Sequence, residues 1–202
     1  MDSGVVTRQA RGMSEVGRAP IWLLDVDGVL NAAAPRGDRS AWPCWRTGRA
    51  GAIGSSWLIT WAPGVIEAIN RLHGERAADI RWLTTWQDEA NGELSRLLGL
   101  PGFAVVPRPS GSGARAGAHG FLGVRAGVAG AWWKLAAARA LLDSDPQRPL
   151  IWTDDDLVWE EEARAWANGR PGATLLVAPA TDVGLTGEHL AAIEEFCAEV
   201  GE

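Results

Sequence analysis

The stretch IWLLDVDGVLN at residues 21–31 decides how this chain folds. An apolar run leads directly into Asp25 and Asp27, and Gly28 follows the second aspartate. A short apolar run that ends in a turn residue predicts a buried strand, here over residues 21–26. Side chains two positions apart lie on the same side of a strand, so these two carboxylates can enter one site.

Strand-like and helix-like segments alternate along the rest of the chain. Further apolar strands are predicted at residues 79–85, 103–106, 149–153 and 174–177. Helices are predicted at residues 63–73, 88–98, 132–142, 157–167 and 187–200. This alternation predicts an α/β fold, a three-layer Rossmann-like arrangement in which helices cover both faces of a parallel sheet.

Three segments fall outside this alternation. Residues 1–19 are polar and are expected to form a poorly ordered tail before a single domain over residues 20–202. Residues 41–61 predict a β-hairpin flap with four tryptophans, whose indoles either contact substrate or build a second small core. Residues 107–130 predict a Gly-rich loop with too few large apolar side chains for a folded cap. A large cap domain is therefore not expected.

Composition excludes several classes of protein. The 202 residues carry a formal net charge of −6, which argues against tight non-specific binding of nucleic acid. Cys44 and Cys197 lie far apart, so the sequence indicates no disulfide framework and is compatible with a reducing cytoplasm. No secretory signal or bilayer-spanning apolar run is predicted, so no membrane partner is expected. The oligomeric state has no signature in the sequence.

Acidic residues follow two of the predicted strands. Asp25 and Asp27 follow the first, and the run Asp154, Asp155 and Asp156 follows the strand at 149–153. Ligands of open parallel sheets bind at the carboxyl ends of the strands. Clustered carboxylates repel each other, and a hard divalent cation such as Mg²⁺ offsets that repulsion while leaving positions open for phosphate.

A hydroxyl and an ammonium complete the set. Thr84 and Thr85 end the predicted strand at 79–85, and Lys134 begins the predicted helix at 132–142. Lys134 is the only lysine among 19 basic residues, which is either chance or the mark of a place where arginine cannot serve. Carboxylates, a hydroxyl, an ammonium and a metal seat together suit phosphoryl transfer.

Four motifs carry a resemblance to the haloacid dehalogenase (HAD) superfamily of phosphohydrolases. LLDVDGVLN at 23–31 resembles its motif I and WLTT at 82–85 its motif II. Lys134 at the start of a helix resembles motif III, and LIWTDDD at 150–156 resembles motif IV. They stand in the family's order and span residues 21–177, most of the chain.

The resemblance implies a role for each matching residue. Asp25 would attack phosphorus and become a phospho-aspartate, and Asp27 would act as general acid and then as general base. Thr84 would contact the transferring phosphoryl group, with Thr85 as the alternative, and Lys134 would supply positive charge. The Asp25 carboxylate, the Asp27 main-chain carbonyl and Asp154 would hold Mg²⁺. Asp155 would share or take over the role of Asp154.

Within the superfamily the chain is most similar to small HAD domains associated with bacterial RNA-repair proteins. Asn31 after DGVL, TTW at 84–86 and WTDDD at 152–156 carry this likeness. Independently of this likeness, a site without a cap favours a bulky substrate, and the tryptophans of the flap with the arginines of the loop suit a phosphorylated nucleotide or nucleic-acid end, which Thr85 and Trp86 would contact. Two alternatives remain open at this point: a non-catalytic or regulatory HAD-fold binding domain, and a phosphatase of small phosphometabolites.

Overall fold

A computed structural model describes residues 4–9, 18–32, 39–52, 54–109 and 132–201. The strands of the main sheet are β1 (Val5–Gln9), β2 (Ile21–Leu24), β5 (Asp79–Trp82), β6 (Ala104–Val105), β7 (Leu150–Thr153) and β8 (Thr174–Ala178). A separate hairpin consists of β3 (Arg46–Ala52) and β4 (Ser55–Trp61). The helices are α1 (Pro63–Gly74), α2 (Glu93–Leu98), α3 (Trp133–Leu142), α4 (Glu161–Gly169) and α5 (Gly187–Gly201). The main sheet has the order β1-β8-β7-β2-β5-β6.

The central strand β2 explains the layering. It runs parallel to β5 on one side and to β7 on the other, and all four of its residues are buried. Trp22 and Leu24 pack into a core with α1, α2 and α5, whereas Ile21 and Leu23 pack into a second core with α3 and α4. A strand with helices on both faces must be apolar on both sides, and this confirms the predicted three-layer α/β fold.

The sheet is mixed rather than wholly parallel, because β1 runs antiparallel to β8 at its edge. Here the structure differs from the disordered tail expected over residues 1–19. Val5 and Val6 are 46% and 44% exposed, so the strand has no clear apolar face for a sequence pattern to reveal. Main-chain pairing with the open edge of β8 holds it instead. Residues 10–17 lie outside the described residues.

Two predicted helices are shorter than expected because each is preceded by a 3₁₀ turn. Residues Gln87–Asn91 form such a turn, and Gly92, with φ −86° and ψ −118°, separates it from α2. Asp155–Val158 form the other, which begins where the Asp154 carboxylate accepts a hydrogen bond from the Asp156 N–H. An acidic side chain commonly caps a turn in this way, which the apolar spacing does not report.

The hairpin expected at residues 41–61 is present and is docked against α2. The Gly51 N–H donates to the Glu93 carboxylate at 2.7 Å, and a Cβ at Gly48 would stand 2.6 Å from the Leu97 side chain. Within the described residues no larger unit is inserted between the strands, in agreement with the absence of a large cap. Of the predicted loop 107–130, residues 110–130 lie outside the described residues.

The loop after β8 supports the segment that follows β2. Leu185 N–H donates to the Val29 carbonyl at 2.9 Å, and Gly184 has a φ of +72° beside the same carbonyl. A Cβ at Gly184 would lie 2.6 Å from the Val29 oxygen. This position therefore requires glycine for its dihedral angle and for its space.

Gly184→Ala is expected to lower the free energy of unfolding by roughly 1–3 kcal/mol, because it adds backbone strain and a clash. Gly187→Ala is the matched control, since a Cβ there meets nothing within 4 Å. The control is expected to change stability by less than about 0.5 kcal/mol. Urea unfolding of both variants measures the difference, and equal stabilities would contradict this account of the loop.

Candidate active site

The carboxyl ends of β2, β5 and β7 meet at one edge of the sheet. In the register, Leu24 lies opposite Trp82 on one side and Thr153 on the other. The ladder continues one step further, with Asp25 N–H donating to the Thr153 carbonyl at 3.1 Å. The residues that follow these strands are therefore placed beside each other, as the strand-end rule predicts.

Lys134 joins two of the strand ends. Its Nζ lies 2.6 Å from Asp25 Oδ2 and 2.7 Å from Asp154 Oδ2. The lysine is 2% exposed, Asp25 is 5% exposed and Asp154 is fully buried. Lys134 reaches this position because α3 begins at Trp133, and its ammonium also lies 5.6 Å from the centre of the Trp132 ring. Charges this deeply buried are stable only when they are paired.

Three carboxylates come close enough together to share a cation. Asp25, Asp154 and Asp155 each offer an oxygen, and these oxygens lie within 4.8 Å of one another. All three are buried, as is Asp156. One ammonium cannot balance this many carboxylates, so the site is short of positive charge. Oxygen ligands with an excess of negative charge fit a hard divalent cation.

Burial and charge shift the pKa values of these groups. Burial raises the pKa of Asp155 to about 7, and the charge of Asp25 adds to this rise. Burial also raises the pKa of Asp154, against the opposing effect of Lys134 and with the help of the neighbouring carboxylates. Burial lowers the pKa of Lys134, but Asp154 and Asp25 outweigh it and raise the pKa overall, so this group stays charged.

Asp27 accepts two hydrogen bonds from side chains other than Lys134. Its Oδ1 accepts from Asn31 Nδ2 at 2.8 Å, and its Oδ2 accepts from Trp86 Nε1 at 2.9 Å. Burial and the charge of Asp25 raise the pKa of Asp27, while the two donors lower it, and the net shift is upward. A carboxyl group with a raised pKa is suited to donate a proton and then accept one.

Gly28 and Thr181 fix Asp155 against the loop that follows β2. Gly28 has a φ of +73°, and a Cβ there would stand 2.2 Å from the Asp155 carboxyl group. Thr181 Oγ1 donates to Asp155 Oδ2 at 2.6 Å. Thr181 was not among the predicted site residues, although it lies just beyond the carboxyl end of β8, where the strand-end rule would have placed it.

Three predicted site residues, Thr84, Thr85 and Trp86, lie in the segment after β5 and differ in how far they are buried. Thr84 is fully buried, and its Oγ1 accepts a hydrogen bond from the Trp86 N–H at 3.4 Å. Thr85 is half-buried. Trp86, expected to contact substrate, is 1% exposed, and its indole packs in the core while donating to Asp27. The Trp86 ring is therefore enclosed by protein, and it acts on the site only through its indole N–H, which donates to Asp27.

The hairpin tryptophans pack against the domain core, so the second small core considered for residues 41–61 is not formed. Trp61 is buried in the core with α1, and Trp42, Trp45 and Trp57 pack against it. The indole N–H groups of Trp42, Trp45 and Trp57 donate to main-chain carbonyls, for example that of Trp42 to Leu185 at 2.8 Å. These side chains extend the main core instead of forming a second one.

Comparison with known protein families identifies the domain in which this site lies. Residues 21–190 match the model of the HAD domain in Swiss Army Knife RNA repair proteins. The chain belongs to this family of HAD domains. No curated protein and no solved structure matched the chain. The matched range includes β2, the acidic cluster, Lys134 and Thr181, so the whole of the candidate site lies within the HAD domain.

Membership in this family supports a phosphatase-like hydrolase with a divalent metal, and the buried acidic cluster of this HAD domain is compatible with such a metal.

Among the described residues, no helix has the length and apolar character needed to cross a membrane. Cys44 and Cys197 are both free thiols.

The HAD domain is expected to lose stability with rising pH when no metal is bound. Asp155 has its pKa raised from 3.8 to about 7, so between these values the folded state keeps a proton that the unfolded chain releases. The free energy of unfolding therefore falls as the pH rises through this window. Thermal unfolding in EDTA from about pH 4.5 to about pH 7.5 measures the slope.

Asp155→Asn is the matched variant, because an amide oxygen can still accept from Thr181. Its melting temperature is expected to fall less steeply over the same pH range, since one titrating group has been removed. If the variant and the wild type show the same slope, the raised pKa of Asp155 is not the cause.

Proposed function

We propose that this HAD domain is a Mg²⁺-dependent phosphatase that works through a phospho-aspartate at Asp25. The observation that carries the proposal is the Lys134 ammonium, buried between Asp25 and Asp154. Its positive charge lies against the Asp25 carboxylate at a buried position, and a carboxylate is the form of this group that acts as a nucleophile. A buried ion pair of this kind is not needed for stability, since apolar residues would serve as well.

The proposed reaction has two steps. An oxygen of Asp25 forms a bond to phosphorus while the bond from phosphorus to the leaving oxygen breaks, and Asp27 gives that oxygen its proton. Asp27 then takes a proton from a water molecule whose oxygen attacks the same phosphorus. The bond to Asp25 breaks, inorganic phosphate leaves, and both carboxyl groups return to their starting states.

The donor set fits a hard divalent cation for which the carboxylates of Asp25, Asp154 and Asp155 and the main-chain carbonyl of Asp27 are the proposed ligands. Such a cation would supply positive charge opposite the phosphoryl oxygens. Lys134 stabilises the same charge from the protein side. Thr181 holds Asp155 in place for this role through its hydrogen bond at 2.6 Å.

Thr84 is the proposed hydroxyl donor to the phosphoryl group. Its oxygen already accepts from the Trp86 N–H, so its own proton is available for another acceptor. Thr85 lies next to it and is half-buried, and its hydroxyl is the alternative donor. Single replacement of each threonine by valine distinguishes the two, because valine keeps the shape and removes the hydroxyl.

Two features support a nucleotide or a nucleic-acid end as the substrate. The family takes its description from RNA repair proteins. The described residues hold no large cap between the strands, so the substrate itself must help to exclude water, which a large phosphorylated molecule does best. The net charge of −6 favours recognition of a single phosphorylated end over general binding of the nucleic-acid backbone.

Asp25→Asn is expected to abolish turnover of p-nitrophenyl phosphate and leave the fold intact, because an amide cannot serve as the nucleophile. Wild-type turnover is expected to require Mg²⁺ and to stop in EDTA. Asp143→Asn, an exposed carboxylate at the end of α3, is the control and should keep full activity. Activity of purified Asp25→Asn near that of the wild type would refute the nucleophile.

Lys134→Arg is expected to reduce kcat by about 100-fold or more, because a planar guanidinium cannot occupy the position of a compact ammonium between two carboxylates. Arg139→Lys on the same helix is the reciprocal control, since Arg139 forms only a half-exposed ion pair with Glu162. Steady-state kinetics with Mg²⁺ compares the two variants. Wild-type kcat in Lys134→Arg would remove Lys134 from the catalytic set.

A substrate panel tests the proposed substrate class. Oligoribonucleotides with a 3′- or a 5′-phosphate and free nucleotides are expected to show higher kcat/KM values than sugar phosphates or phosphoglycolate. The reason is that only the larger substrates cover an open site. A clear preference for a small phosphometabolite over every nucleotide and oligonucleotide would support the alternative phosphatase instead.

A further inference from the structure

Trp86 and Asn31 surround the carboxyl group of Asp27 from two sides. One donor meets each oxygen, Asn31 Nδ2 at 2.8 Å and Trp86 Nε1 at 2.9 Å. Asn31 and Trp86 are 7% and 1% exposed, so water competes little for these bonds. A carboxyl group with one fixed donor on each oxygen cannot rotate without breaking a hydrogen bond. Each oxygen keeps a second lone pair that can carry a proton.

Asn31 is itself fixed by the base of the hairpin. Its Oδ1 accepts from the Thr60 N–H at 2.9 Å, and the neighbouring Ala32 N–H donates to the Thr60 carbonyl at 2.8 Å. The orientation of the amide follows from its partners, because Oδ1 faces an N–H donor and Nδ2 faces a carboxylate. Turning the amide over would create two repulsive contacts. Strand β4 therefore sets the direction of the donor to Asp27.

Trp86 is fixed by the turn after β5. The main-chain N–H of Trp86 donates to Thr84 Oγ1. The next residue, Gln87, donates twice to the Thr84 carbonyl, from its main-chain N–H at 3.2 Å and from its side-chain Nε2 at 2.7 Å. Gln87 has a φ of +48°, a conformation that is unfavourable for a side chain other than glycine. Such strain persists where the surroundings hold it, and here the hydrogen bonds to Thr84 hold the turn that contains Trp86.

We propose that Asn31 and Trp86 are positioning residues that orient the Asp27 carboxyl group for proton transfer to the leaving oxygen. The proposal rests on the proposed phosphatase function, in which Asp27 is the general acid. Neither residue needs to touch the substrate. Their effect depends on the leaving group, because a poor leaving oxygen must be protonated as its bond to phosphorus breaks, whereas a stable anion leaves without a proton.

Trp86→Phe tests the proposal, because it removes the indole N–H and retains an aromatic ring. With p-nitrophenyl phosphate, whose leaving group is a stable anion, kcat/KM is expected to fall by less than about threefold. With benzyl phosphate, which has a similar ring and a basic leaving oxygen, it is expected to fall by roughly 10- to 100-fold. The KM values are expected to change little, since no contact to the substrate is lost.

Trp82→Phe is the matched control. Trp82 lies in the same core, is fully buried and donates its indole N–H to Asn91 Oδ1 at 2.9 Å, with no hydrogen bond to Asp27. It is expected to lower the two kcat/KM values by the same factor, because a general loss of packing does not distinguish leaving groups. Asn31→Ala is the second variant and is expected to share the selective loss seen for Trp86→Phe.

A spectroscopic measurement tests the hydrogen bond without any turnover. The indole N–H signal of Trp86 is assigned by its absence in Trp86→Phe, and Asp27→Asn is expected to shift this signal and leave that of Trp82 in place. Equal losses for both substrates in Trp86→Phe and in Asn31→Ala would overturn the positioning role. An inactive wild type, or an active Asp25→Asn, would instead refute the proposed function itself.

Discussion

The ammonium of Lys134 lies between Asp25 and Asp154, and the arrangement of the whole site depends on this contact. Asp25 and Asp154 directly follow two neighbouring strands. Buried carboxylates this close together repel each other unless a cation lies between them. The lysine comes from the first turn of a helix that packs on one face of the sheet. The ion pairs therefore connect a helix to two strand ends, and the geometry of the site follows from the packing of those elements.

The ammonium leaves the site incompletely neutralised. Asp155 and Asp156 are buried beside the same pair, and the pKa of Asp155 rises to about 7 as a result. A protein selected for stability alone gains nothing from this concentration of acids, because apolar residues would fill the space without the desolvation cost. The excess negative charge leaves this edge of the sheet suited to a divalent cation, and the proposed function rests on that suitability.

Asp25 and Asp27 stand two residues apart and have separate environments. Asp25 is paired with an ammonium, whereas Asp27 accepts hydrogen bonds from a tryptophan and an asparagine. The loop begins directly after Asp27, at Gly28, which has a positive φ and lies close to Asp155. Two groups of the same chemical type therefore have different surroundings, which the proposed roles of nucleophile and of acid and base require.

The sequence by itself determined the layered α/β fold, because strands buried on both faces must be apolar throughout and helices must repeat their apolar positions every three or four residues. It also predicted that Asp25 and Asp154 lie together, since the carboxyl ends of parallel strands share one edge, and that the lone lysine Lys134 supplies positive charge there. Only the tertiary structure decided that Trp86 faces Asp27 and that Thr181 holds Asp155. Those contacts join residues 59 and 26 positions apart, and local patterns carry no record of which distant polar atoms meet. The sequence patterns did not predict the edge strand β1 for a related reason, because main-chain pairing needs no particular side chains.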